Sequence, residues 1–203
     1  MTDRFSGMTK TPQMPAARML ADANARLSVK LEAPASAPLD VVLTELEEKG
    51  AVIDILRLLG VALPARERVW WSCLAARDYV GEAPDNNTPA LAASEEWVFR
   101  PTPENRDKAG ATIDLAEPDD ETVNCAMGVL YSDGTLGSGD LANVPAPLGA
   151  AEVVAFAMNV VAMDKHEEDF DTYVQLLIDR GVDIARGGNG KLDRENASAE
   201  KEE

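Results

Sequence analysis

Apolar residues recur at helical spacing through most of the chain. Leu39, Val42, Leu43 and Leu46 fall at i, i+3, i+4 and i+7, and after Gly50 the pattern repeats at Val52, Ile55, Leu56 and Leu59. Val123, Ala126, Met127 and Leu130 form a third stripe, and Phe170, Tyr173, Val174 and Leu177 a fourth. A period near 3.6 residues is that of one buried helix face. Residues 148–163 differ: Val153, Val154, Phe156, Met158, Val160 and Val161 leave no polar side, which predicts a helix in the middle of a bundle. No segment reads as an alternating, β-branched strand.

Proline punctuates these stripes. Pro38, Pro64, Pro89, Pro103 and Pro118 each precede an apolar-periodic stretch, and proline suits a first helical position because the missing N–H would have no partner there. Thr88 and Thr102 stand before two of them as N-caps, and Asp119, Asp120 and Glu121 fill a predicted first turn where the helix dipole favours carboxylates. The reading is all-α with about nine helices, at 16–31, 38–49, 51–60, 64–80, 88–100, 103–116, 118–131, 148–163 and 167–180, followed by a short turn at 182–186. Short connections imply antiparallel neighbours, either an irregular multi-helix bundle or stacked helical hairpins. Outside this pattern lie a flexible N-terminal arm over 1–15, an ordered connector over 132–147 and a disordered C-terminal tail over 187–203. That leaves 16–186 as a single helical domain.

Charge narrows the function. The 203-residue chain carries a net −17. Residues 1–30 hold Arg4, Lys10, Arg18, Arg26 and Lys30 against Asp3 and Asp22, a net of +3, which leaves −20 for the rest. Such a body repels phosphate backbones, so nucleic acid is not an expected ligand, whereas a basic protein surface is. No apolar run is long enough to span a bilayer, and the opening residues carry no signal-peptide core. Cys73 and Cys125 lie in apolar helical segments without metal-type spacing, which reads as buried reduced thiols and a cytoplasmic location.

Candidate chemistry is sparse. The one histidine, His166, stands in Asp164-Lys-His-Glu-Glu-Asp-Phe-Asp171, but adjacent helical residues splay around the axis and an acidic first turn explains the carboxylates. The 133–140 loop has too few oxygen ligands for calcium and no closing glutamate. Neither a metal, a cofactor nor a catalytic set is expected. Trp70 and Trp71 are adjacent, so their indoles diverge by about 100° around a helix. Either that helix is buried on two sides or one indole meets a partner. The helix from residue 16 pairs an apolar face (Met19, Leu20, Ala23, Leu27, Leu31) with Arg18, Arg26 and Lys30, and docking on its own acidic body is the expected use.

The segment from Leu63 to Arg77, Leu-Pro-Ala-Arg-Glu-Arg-Val-Trp-Trp-Ser-Cys-Leu-Ala-Ala-Arg, resembles the signature of an uncharacterised family of small all-helical bacterial cytoplasmic proteins. Trp97, Arg100-Pro101, Glu104-Asn105-Arg106 and the Gly-Val-Asp-Ile-Ala-Arg-Gly ending at Gly187 support the likeness, which covers residues 39–187. Members of that family sometimes lie near type VI secretion genes, and the resemblance implies an adaptor or secretion-accessory role. The expected function is therefore non-catalytic binding of a basic protein partner, with Trp70, Trp71, Arg77, Trp97, Glu167 and Glu168 as candidate contact residues; homo-oligomers fit as well. Two alternatives stand beside it: a small-ligand or metal-binding enzyme using His166 and nearby acids, and an immunity or regulatory protein that neutralises a basic partner.

Overall fold

The computed structural model describes residues 4–81, 83 and 86–192. Among these, nine α-helices and no strands form: α1 (Ala16–Asp22), α2 (Leu39–Glu48), α3 (Val52–Ala62), α4 (Ala65–Val80), α5 (Pro89–Phe99), α6 (Pro103–Ile113), α7 (Val123–Leu130), α8 (Ala150–Lys165) and α9 (Phe170–Arg186). The all-α expectation holds. The chain divides into two compact units rather than one, with Ala65–Lys165 forming the second and the flanking sequence the first.

In the first unit α3 packs against α1, α2 and α9. The apolar stripes supply its core through Leu43, Leu46, Leu56, Leu59, Tyr173 and Leu177, all fully or nearly fully buried. The N-terminal arm belongs to this unit, which corrects the expectation of flexibility over residues 4–15. Phe5, Met8 and Thr11 are buried, and the Arg4 guanidinium donates to Asp179 of α9, to Glu47 of α2 and to Oε1 of Gln175. Arg186 returns the contact, donating to the carbonyls of Arg4 and Ser6. At the other end Gly187 closes α9 at φ 102°, a left-handed conformation suited to glycine. The expected break at 181 is absent, and α9 is continuous to Arg186. Of the predicted tail, residues 193–203 lie outside the described residues.

The first predicted helix, 16–31, stops at Asp22. Asn24 turns left-handed at φ 49°, and from Ala23 to Pro34 the exposure alternates, with odd positions half-buried and even positions exposed. Two carboxylates take the amides that a helix would have paired internally. Asp54 accepts from the N–H groups of Ser28 and Val29 at 2.7 and 3.0 Å, and Glu45 from those of Glu32 and Ala33 at 2.6 and 2.9 Å. Asp54 is almost wholly buried and also holds Arg57. Glu45 is held down to a pKa of about 2, first by its bond to Lys49 and then by the two amides.

In the second unit α4 is packed by α5, α7 and α8, while α6 joins α5 to α7. Thr88 and Thr102 cap α5 and α6, their hydroxyls accepting from the N–H groups of Leu91 and Asn105, with Pro89 and Pro103 as first helical residues. Pro118 starts no helix: α7 begins only at Val123, because Asp120 instead folds back to accept from the N–H and hydroxyl of Thr122. Helix α8 is not enclosed on all sides. It buries Ala151, Val154, Ala155, Met158, Asn159 and Ala162, while Val153 remains 61% exposed. Arg68 of α4 reaches Glu152 of α8 at 2.7 Å, with burial lowering the Arg68 pKa against the pull of that carboxylate. Arg106 orders the 132–147 connector. It is 9% exposed and donates to the carbonyls of Leu130 and Gly137, to Asp133 and to the Thr135 hydroxyl.

Candidate interaction surface

The six predicted contact residues are divided between the two units. Trp71 is fully buried and Trp97 nearly so, which removes both from any surface. Arg77 forms a two-pronged ion pair with Glu95, Nε to Oε1 at 2.8 Å, and that pairing raises its pKa. Trp70 is half-buried and rests against Phe99 with ring centres 5.8 Å apart. Glu167 and Glu168 are exposed in a 3-10 turn of the first unit, whereas the tryptophans belong to the second. The divergence of the adjacent indoles is as expected from helix geometry: one points inward, the other outward.

Sequence reasoning passed over a groove in the second unit. Tyr79 and Val80 at the end of α4, Pro89 at the start of α5 and Leu115 beyond α6 form its apolar wall, enclosing about 480 Å3. Glu117, Asp119 and Asp120 supply the rim. Leu115 is 82% exposed, a large apolar side chain left in water. Its position follows from the end of α6, where the N–H groups of Leu115 and Ala116 bond back to Thr112 and Ile113 and turn the chain outward. The rim is held in place by hydrogen bonds: the Thr122 hydroxyl donates to Asp120 and is itself hydrogen-bonded to the Thr88 hydroxyl that caps α5. One face of Tyr79 already carries the Lys165 ammonium, 5.2 Å from the ring centre. Among the described residues neither Glu117 nor Asp119 has a cationic partner.

A sequence signal for this site existed. Residues 109–121 contain five carboxylates, Asp114, Glu117, Asp119, Asp120 and Glu121, with no lysine or arginine. The helical reading of 118–131 assigns Asp119, Asp120 and Glu121 to a first turn, and that of 103–116 takes in Asp114 and Leu115 as helical residues.

The remaining reactive groups are packed away. Cys73 and Cys125 are free, buried and in mutual contact, and burial pushes the Cys73 thiol up. His166 lies with its ring centre 4.1 Å from that of Tyr173, and its Nδ1 is 3.6 Å from an Asp169 oxygen. Among the described residues no three His, Cys, Asp or Glu side chains are grouped to hold a metal ion, and no helix is long and apolar enough to cross a membrane.

Comparison with curated proteins and with solved structures finds no match. A family model does match, over residues 42–185, a range that takes in every helix of the second unit and most of α2 and α9. The chain belongs to DUF6931, a family of unknown function.

Proposed function

We propose that this chain is a non-catalytic interaction protein, an adaptor that binds a protein partner through the groove between Tyr79, Pro89 and Leu115. The exposed Leu115 beside two unpaired carboxylates carries the reading. Covering a leucine of that exposure with an apolar side chain is worth about 1.5–3 kcal/mol, roughly ten- to a hundredfold in affinity. The carboxylate rim adds selection more than strength, since exposed ion pairs contribute at most about 1 kcal/mol each. The preferred ligand is therefore a segment with an apolar anchor flanked by lysine or arginine. Two thiols in contact yet unbonded suit a reducing compartment such as the cytoplasm.

The test titrates two fluorescent peptides into the full chain, one with a leucine between lysines and one with glycine in its place. The leucine peptide binds more tightly, and Leu115→Lys or the pair Glu117→Lys and Asp119→Lys weakens it about tenfold or more. Charge reversal at Glu104, exposed at the opposite end of α6 from Leu115, leaves it within about twofold, as a remote exposed charge should. Equal losses from both reversals would reduce the interaction to diffuse attraction by a polyanion and overturn the proposal.

A further inference from the structure

The helical hairpin that builds the groove has a second, opposite end. There Phe99 is 66% exposed, its ring tilted against that of Trp70. Arg66 and Arg100 are exposed on either side. Arg66 uses its Nε to hold the Val98 carbonyl at 2.6 Å, and among the described residues neither guanidinium has a carboxylate partner. The neighbouring acids are engaged elsewhere: Glu96 pairs with Lys108, and Glu104 bonds its own N–H and the Thr102 hydroxyl at the start of α6, which lowers its pKa. The Phe99–Arg100 turn is fixed, with the Arg100 carbonyl accepting from the Thr102 N–H and the Asn105 side chain at 2.8 and 2.9 Å. An aromatic anchor thus stands between two unneutralised arginines in a chain whose net charge is −17.

These two ends match each other. One offers an apolar wall and free carboxylates; the other offers an apolar anchor and free guanidinium groups. They lie on one rigid hairpin, where Arg66 and Val80 are fourteen residues apart along α4, about 21 Å at the rise of an α-helix. One chain therefore cannot fold its own Phe99 end into its own groove.

We infer that the Phe99–Arg100 end of one copy docks in the Leu115 groove of a second copy, giving head-to-tail self-association. This rests on the groove being a binding surface for basic, apolar-anchored segments. A heterologous contact of this kind leaves a free groove and a free Phe99 end at the two extremities, so assembly continues until a ring closes or a filament grows. The wider negative charge of each copy opposes long assemblies, and salt near physiological strength screens that repulsion beyond about 8 Å while leaving the direct contact.

Sedimentation velocity and light scattering of the full chain across a concentration series test this at physiological salt. The mass of the unaltered chain rises through successive multiples of the monomer. Phe99→Asp and Leu115→Lys, both at exposed positions, each remain monomeric, with association weakened about tenfold or more. An equimolar mixture of the two variants forms a dimer and stops there, because one retains only a groove and the other only an anchor. A chain that stays monomeric throughout overturns the inference, as does a mixture that stays monomeric or a variant that assembles like the parent. If the lysine–leucine peptide still binds the groove of a strictly monomeric chain, self-docking fails while the proposed function stands; if neither occurs, both fail.

Discussion

Replacing Arg106 with alanine removes the cation around which the longest connector is wound. Its guanidinium donates through Nε to the Leu130 carbonyl at 2.8 Å, where α7 ends, and through Nη1 to the Gly137 carbonyl at 3.4 Å. It also meets Asp133 at 2.6 Å and the Thr135 hydroxyl at 2.9 Å. The pair with Asp133 counts for little, because that carboxylate is 51% exposed and water replaces the cation. The carbonyl bonds count for more: a hydrogen bond to a charged group contributes about 1.5–3 kcal/mol, and part of that returns when the loosened loop rehydrates. A loss of about 3 kcal/mol follows, which for a chain of this length lowers Tm by roughly 6–12 °C. Calorimetry gives the loss, and hydrogen exchange locates it. The amides of Leu136 and Ala146, bonded across the loop to Val144 and Gly134, lose protection first. Arg106→Lys keeps a charge but not the fork, and falls between the two. A loss under about 0.5 kcal/mol with unchanged exchange at Leu136 and Ala146 would mean that the loop supports itself, and would refute the argument.

Two further perturbations probe the buried charges. Glu152→Ala strips Arg68 of its carboxylate and costs about 3–5 kcal/mol in urea denaturation, whereas the joint replacement Arg68→Met with Glu152→Leu recovers most of it; equal costs would show that the pair contributes through packing alone. The carboxyl of Glu45 ionises near pH 2 in the folded chain, below its ordinary value. Its folded pKa is depressed, so the stability it provides is complete above the ordinary carboxylate range and disappears as pH falls from there toward 2. Amide protection at Glu32 and Ala33 follows that window by NMR, and Glu45→Gln abolishes the dependence; protection lost instead at a higher pH would contradict the assignment.

Local rules made most helices legible. Thr88–Pro89 and Thr102–Pro103 set two helix starts because cap and first residue act within one turn. Pro118 misled because it has a competitor: the Asp120 side chain supplies a turn of its own to Thr122, and five carboxylates in 109–121 did not mark a helix start. The stretch from Ala23 to Ala33 was readable in a second way. Every odd residue from Ala23 to Ala33 is apolar and every even one from Asn24 to Glu32 polar, a period of two that belongs to a non-helical chain. Counting only Ala23, Leu27 and Leu31 makes the same residues look helical. Deciding between the readings needed Asp54 and Glu45, whose carboxylates accept the backbone N–H groups from distant sequence, and no local window contains both. The arm over residues 4–15 was lost for the same reason, since Arg4 finds Asp179 across almost the whole chain. Helix α8 was overread: small alanines permit close packing on one face, and a continuous apolar composition did not require burial of the other.

Composition points to a basic partner, and two of the side chains that residue type singles out for contact, Trp71 and Trp97, are buried. Tryptophans draw attention as contact residues, yet their size also makes them core fillers, and Trp71 and Trp97 serve that role. Leu115 was hidden by being an ordinary leucine near a helix end.

A hydrogen-exchange footprint of the full chain, with and without the lysine–leucine peptide, tests the central claim most directly. Protection is predicted at the amides of Val80 and Gly81 and across 115–121, with no change around Glu104 at the other end of α6. Protection centred on Glu104, or spread evenly over both units, would contradict it.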